Sequence, residues 1–301
     1  MPGHAHLRRG VSHRATGVRH HGAMTGPHGD IRLYHSNALE ILAGILARIL
    51  RDPAPGQSLL APDIVLIPQV AMRRWLQATL AAEHGVAANI EFLTPGEFVG
   101  RALAANPSGS DDSGSRDELD AAALRWHLYA ALTDHAFLAT PALATIAAHV
   151  GGPDPLRAWA LAGELASVFE KYQAWRRDWL LRWEAGADAD DPQAILWRRV
   201  ASGRPHRARR IQQYLDRFGA AEGPLPTGLP TRLSAFATLN VSPDVLRVIA
   251  TQARVGTLHM FVPSPAKDYW GDLQRVRAGQ PADDGENPLL QRWGAAGVDF
   301  M

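Results

Sequence analysis

The 301-residue chain has no cysteine. Disulfides and thiolate metal sites are therefore excluded, and a reducing compartment such as the cytoplasm poses no difficulty. Lysine is almost as scarce: Lys171 and Lys267 are the only two, and neither follows a glycine. A phosphate cradle of the ATPase kind needs glycine-freed backbone N–H groups and one lysine as a point charge, so none can be drawn on this sequence. No apolar run approaches the roughly 18 residues that a membrane span requires; residues 41–50 come nearest and are broken by Arg48. Hydrolase and metalloprotease spacings such as G-x-S-x-G and H-E-x-x-H are missing. Asp111-Asp112, Asp190-Asp191 and Asp283-Asp284 stand in loop-like stretches, where adjacent acids signify solvation rather than metal. Internal repeats are absent too.

What is present is an apolar fraction of 46% with nine tryptophans, enough for a substantial core. The length suggests one or two domains. The net charge of +1 hides an asymmetry, because residues 1–30 carry Arg8, Arg9, Arg14 and Arg19 against Asp30 alone. Any nucleic-acid contact must then come from local patches or a lined channel. The same thirty residues hold six of the 13 histidines at irregular, glycine-rich spacing. This composition predicts a disordered tail rather than a metal site, with Met24 as an alternative start.

Residues 31–50 (IRLYHSNALEILAGILARIL) read as a strand, a tight polar loop and a helix. That is the layout of a nucleotide-binding start, with His35, Ser36 and Asn37 standing where the cradle would be. A degenerate nucleotide loop and a turn in an unrelated α/β fold both fit. Asn37 with Glu40 predicts a capping box. Residues 63–68 (DIVLIP) form a short apolar run that suits a buried parallel strand. Met72, Trp75, Leu76 and Leu80 fall at helical spacing, and Thr94-Pro95-Gly96-Glu97 marks a helix start. The block 31–104 thus reads as α/β.

Residues 106–115 (NPSGSDDSGS) predict a mobile loop, with Ser115 and Glu118 capping a helix after it. From 116 to 222 the apolar period is helical, broken at Pro141, at residues 151–153 and at residues 190–192, which predicts an inserted all-helical domain. Residues 105–115 and 223–230 (GPLPTGLP in the latter) are its linkers. Beyond 231 the α/β pattern returns: strands at 232–236 and 257–262, a helix from Ser242-Pro243 to about 253, and a last helix at 287–293.

Two stretches combine charge with aromatic residues. Tyr172, Trp175, Trp179 and Trp183 share one helical stripe beside Arg176, Arg177 and Arg182, a pattern that suits base stacking but fits core packing, with arginine stems reaching outward, better. Residues 197–210 carry six arginines and His206 with no acid before Asp216, which suits either phosphate contact or a solvated face.

Taken together, the segments IRLYHSN (31–37), MRRWLQATL (72–80), GVAANIEFLTP (85–95), FEKYQAWRRDWLLRWE (169–184), YWGD (269–272) and NPLLQRWG (287–294) resemble the N-terminal part of the RecC family, gamma subunits of the bacterial exodeoxyribonuclease V (RecBCD) complex. The resemblance covers residues 31–301 and implies a helicase-like, P-loop-type parallel sheet (31–104 and 231–301) that has lost its motor residues. In the family, ATP and Mg²⁺ are used by RecB-like and RecD-like partner subunits, and this chain is expected to bind neither. The family's role is to hold the complex together, help part duplex ends, thread single strands and scan one of them for the Chi signal. Members are several times longer, so the chain is expected to be a fragment or a truncated reading frame.

Family channel positions fall on Thr94, Ser167, Val168, Glu170 and Lys171, with Arg176 and Arg207 keeping the family type. Polar positions have become Pro68, Val70 and Arg74, and an aromatic has become Gly100, which puts the enteric Chi sequence in question here. Outside the resemblance, two readings stay open: a small-molecule α/β enzyme with a helical lid and a site near His35 and Asn240, and a purely structural partner protein.

Overall fold

The computed structural model of the protein describes residues 20–26, 29–58, 60–107, 119–154, 156–238 and 240–264. Its strands are β1 (His20–Gly26), β2 (Gly29–Ser36), β3 (Asp63–Leu66), β4 (Ile90–Leu93), β5 (Arg232–Phe236) and β6 (Thr257–Pro263). Its helices are α1 (Leu39–Leu50), α2 (Val70–His84), α3 (Pro95–Ala105), α4 (Ala121–Leu132), α5 (His135–Leu138), α6 (Ala144–Val150), α7 (Leu156–Trp175), α8 (Arg177–Glu184), α9 (Pro192–Ala201), α10 (Arg207–Phe218) and α11 (Pro243–Ala250).

The strands form one sheet in the order β1-β2-β6-β5-β3-β4. Five are parallel, and β1 runs antiparallel along β2 at the edge. The α/β expectation holds. The expectation of a structureless segment through residue 30 does not, since His20–Gly26 is a strand. Its composition is polar, but the free edge of β2 offers backbone N–H and C=O groups to any neighbouring segment. The strand β4, short and only partly buried, carries too little pattern to be read from IEFL alone.

Side chains alternate across the central strands, so both faces are covered. Val65, Phe236 and Phe261 meet Leu42 and Leu46 of α1 and Leu76 and Leu80 of α2. On the opposite face Leu66, Leu233 and Leu258 meet α3, α10 and α11 through Phe98, Val99, Ile211, Tyr214, Val248 and Ile249. A third cluster, built on Leu124, Leu128, Ala162, Phe169, Trp183 and Trp197, is formed by the helices between α3 and α10. No strand occurs among the described residues of that stretch. The helix α10, which a linker at 223–230 would group with the helical stretch, packs its Ile211, Tyr214 and Phe218 into the sheet core.

Several local expectations hold. Thr94 and Glu97 form a reciprocal capping box at α3 with Pro95 at the first position, and Ser242 caps α11 through the Val245 N–H. Asp191 caps α9 with Pro192 behind it, so one of the paired acids serves the backbone. Others fail. The cap residue of α1 is Ala38, with no side-chain bond; Asn37 does not cap it, and the Ser36 hydroxyl instead accepts the Ala38 N–H at 3.1 Å. Asn106 is not at the head of a free loop but 7% exposed. Its amide donates to the Ala102 and Thr227 carbonyls, and its Oδ1 accepts the Thr227 N–H at 2.9 Å. Beside it Gly228 has φ +70°, and a Cβ there would stand 2.8 Å from Ala105 Cβ. The Ser115–Glu118 cap, the paired acids at 111–112 and 283–284 and the helix at 287–293 lie outside the described residues; α4 begins at Ala121, capped by Asp120.

Candidate functional site

The chain leaves β3 for β4 on one side and β5 for β6 on the other, which makes the carboxyl ends of β3 and β5 a topological switch point. A cleft of about 470 Å³ opens there. Pro68 and Gln69 follow β3, Thr94 follows β4, and Thr238, Asn240 and Ser242 follow β5; all line it. Four helices begin at this rim: α2 behind Gln69, α3 behind Thr94, α11 behind Ser242 and α10 at Arg207. Helix N-termini carry partial positive charge and unpaired N–H groups. Arg207 adds a full charge; the acids in the first turns of α3 and α11 stand behind the lining, Glu97 bonded to Thr94 and Asp244 paired with Arg177. The arrangement suits an anion.

Trp175, the last residue of α7 and 44% exposed, forms the outer wall. One buried amide brings it beside Arg207. Gln173, 4% exposed, donates from Nε2 to the Leu119 carbonyl at 3.0 Å and accepts the Arg207 N–H on Oε1 at 2.9 Å. Leu119 N–H in turn donates to the Pro205 carbonyl at 3.2 Å. The start of α10 is fixed a second time through His206, fully buried, whose Nδ1 accepts the Arg209 N–H and whose Nε2 lies 2.7 Å from Glu184. Burial opposes ionisation of Glu184, but hydrogen bonds from His206, Arg209 and Trp197 outweigh it and hold its carboxyl at about 2.

The positions singled out in the sequence divide into three groups. Pro68, Thr94 and Arg207 line the cleft. Ser167, Glu170 and Lys171 are exposed on the final turns of α7 that lead to Trp175, with Val168 half-buried among them. Arg74, Val70 and Gly100 are exposed on α2 and α3 but do not line it. His35, Ser36 and Asn37 end β2, which β6 and β5 separate from β3, so this loop and the cleft are distinct places. There Ser36 carbonyl accepts the Ser264 N–H at 2.9 Å, and Glu40 sets an acid in the first turn of α1.

The aromatic stripe is not one helix. The chain breaks at Arg176 (φ −137°, ψ 40°) between α7 and α8, which folds Trp179 and Trp183 back onto Tyr172 at 5.7 and 6.0 Å between ring centres. Trp183 is buried there, whereas Trp175 is left facing the cleft. Arg176 is exposed, its guanidinium 5.3 Å from the Trp179 ring. The arginine-rich stretch is largely spent on the protein itself. Arg198 binds the carbonyls of Trp183, Ala187 and Ala189, Arg199 pairs with Asp134, Arg204 binds Val200, and Arg209 pairs with Glu184.

Sequence reasoning missed Gln69 and Thr238 and assigned Trp175 to packing. Polar residues directly after an apolar strand, as in Thr238 and Asn240, were the available signal. Among the described residues no cluster of His, Asp and Glu is able to hold a metal ion, and no helix is long and apolar enough to cross a membrane.

A sequence model of the RecC N-terminal domain matches residues 31–301. Individual relatives agree. The RecBCD enzyme subunit RecC of Escherichia coli K12 is 28% identical over 327 residues, covering 90% of this chain and 28% of that protein. The subunits of the same name from Haemophilus influenzae and Mycolicibacterium smegmatis are 23% and 28% identical, covering 81% and 83% of this chain and 24% and 23% of theirs. The chain spans about a quarter of the length of these relatives. With a match that takes in the parallel strands from Ile31 onward, the helices between α3 and α10 and the cleft they enclose, the chain belongs to the RecC family, through that family's N-terminal domain.

Proposed function

We propose that the protein supplies the N-terminal, non-catalytic portion of a RecC-type subunit in a cytoplasmic RecBCD helicase–nuclease. It lines a path for single-stranded DNA and helps hold RecB-like and RecD-like subunits together during double-strand break repair by homologous recombination. In this reading the sheet and its flanking helices are a helicase-like layer without a motor, and α4 to α9 are a helical domain inserted into it. ATP and Mg²⁺ belong to the partner subunits. The observation that carries the proposal is the cleft at the switch point, around which Pro68, Thr94 and Arg207 gather with α7 leading away.

Two features support a lost motor. The turn after β2 has its Ser36 hydroxyl and carbonyl engaged locally, and Glu40 would repel a phosphate approaching α1. In place of the Asp-Glu pair that holds Mg²⁺ in Walker-type ATPases, β5 runs into Ala237, Thr238 and Asn240. The tests are direct. The chain alone is expected to show no ATP turnover, and turnover abolished by His35→Ala or Ser36→Ala would overturn the reading. In the complex assembled with partner subunits, Arg207→Ala is expected to weaken single-strand binding and lower the salt slope by about one; an unchanged slope removes Arg207 from the strand path.

A further inference from the structure

We infer that a groove between α10 and α11 takes an acidic segment of a partner subunit, with one carboxylate of that segment lying between Arg177 and Arg247. This rests on the reading of the chain as one subunit of a larger complex, and it names a surface and a chemistry for the contact. The groove is a separate place from the cleft. Its volume is about 550 Å³, and the two share no lining residue. Both helices begin at the cleft; the groove follows them toward their ends at Phe218 and Ala250, where Ile31 of β2 and Arg254 line it.

Arg177 gives the first reason to expect a ligand. Its side chain is 12% exposed, and Nη2 reaches Asp244 Oδ1 at 3.0 Å. Its Nε and Nη1 are buried and have no hydrogen-bond partner among the described residues. Donors of a charged group that are desolvated and left unmet are costly and call for an acceptor. The groove, which Arg177 lines, is the opening through which an acceptor reaches this guanidinium. Arg247 lines it as well, is 67% exposed, and pairs with the same Asp244 oxygen at only 3.9 Å. Two guanidiniums thus share one carboxylate, and a second carboxylate from outside would balance them. Arg254 adds charge but commits both terminal nitrogens to the carbonyls of Phe218, Ala221, Gly223 and Pro224, which fixes the far end of the groove.

The surroundings select the kind of anion. The C-terminal ends of α10 and α11 carry partial negative charge. Asp216 also lines the groove, held by Gln212 Nε2 at 2.6 Å. A run of phosphates would meet that negative charge at every step along the groove. A polypeptide meets it once, placing a single carboxylate at the arginines and apolar side chains on Ile31, Leu215, Ala221 and Ala250, which share the lining. Arginine beside apolar surface is a common anchor of protein interfaces, and guanidinium–carboxylate pairing fixes register. The relatives are themselves named as subunits of an enzyme.

The test uses the full chain in complex with RecB-like and RecD-like subunits. With p-benzoylphenylalanine installed in place of the exposed Ala221 of the lining, irradiation is expected to crosslink a partner peptide that contains Asp or Glu. Arg247→Glu should weaken assembly about tenfold or more, and Arg247→Ala by less. Exchanging the acid of the crosslinked peptide for arginine should restore the Arg247→Glu complex; failure to restore it would overturn the direct contact. Unchanged assembly of Arg247→Glu without a crosslink from position 221 would remove the groove and leave the subunit reading in place. A chain that joins neither subunit would sink that reading itself. A crosslink to the same chain would overturn the partner, and binding of oligo(dT) that is lost in Arg247→Glu, with assembly unaltered, would reassign the groove to nucleic acid.

Discussion

His259 lies 3% exposed in β6, its Nδ1 3.1 Å from the Tyr34 hydroxyl. Burial is the main force that lowers its pKa to about 4; the charges of Arg32 and Arg232 add to it, and Asp30 opposes them. The unfolded chain protonates near the ordinary value of 6.5, while the native protein does not until about 4. Between those values protons favour unfolding, so stability is full above pH 6.5 and falls as the pH drops toward 4. The span corresponds to about 3 kcal/mol. Urea titrations from pH 8 to 4 should show this loss, and His259→Gln, less stable at pH 7, should flatten it. Glu184 acts in the next window down. Its carboxyl stays ionised to about 2 instead of 4.5, so its contribution is present above pH 4.5 and disappears as the pH falls toward 2. Glu184→Gln is expected to cost about 2–3 kcal/mol at neutral pH, read as a lower urea midpoint. Neither residue announces itself in the sequence, because each is defined by partners far along the chain: Tyr34 for His259, His206 and Arg209 for Glu184.

Among elements, α3 and α11 show what a local signal can carry. Thr94-Pro95-Gly96-Glu97 and Ser242-Pro243 fix their helix starts within four residues, so the sequence is sufficient to place them. Ser242→Ala should lower the unfolding midpoint by an amount equivalent to about 1 kcal/mol, and a Ser242→Asp chain should recover most of it. The break at Arg176 is a contrasting case. Residues 169–183 keep a helical period throughout, and nothing local forbids continuation. What accompanies the break is tertiary: Arg177 reaches Asp244 of α11 at 3.0 Å, and Trp179 and Trp183 gain Tyr172. The strand β1 was illegible for a related reason, since its pairing comes from the backbone of β2 and not from its own side chains. The arginine-rich stretch reads as a charged surface only until its carbonyl and carboxylate partners are known. Of the cleft itself, Pro68, Thr94, Arg207 and Asn240 were named from sequence, whereas Trp175 was named only within the aromatic stripe, and its place at the cleft follows from where the helix ends.

At the scale of the whole molecule, the sheet is assembled from segments far apart in the chain, and a buried arginine joins them. Arg232 of β5, 7% exposed, binds Asp63 of β3 with Nε and Nη2 at 3.0 and 2.7 Å; its Nη1 binds the Ile49 and Asp52 carbonyls at the end of α1. Arg232→Met would leave Asp63 without its partner, and a loss of about 3–5 kcal/mol is expected from denaturant titration. A loss below 1 kcal/mol would mean that the apolar layers alone hold the two segments together. The Leu119–Pro205 bond has a different consequence. Everything from α4 to α9 stands with both feet on one spot, and an excursion with adjoining ends burdens its host little however long it grows. The shore carrying Thr94, Thr238 and Asn240 belongs to the sheet, while the opposite bank, with Trp175, belongs to the helices and can change apart from it.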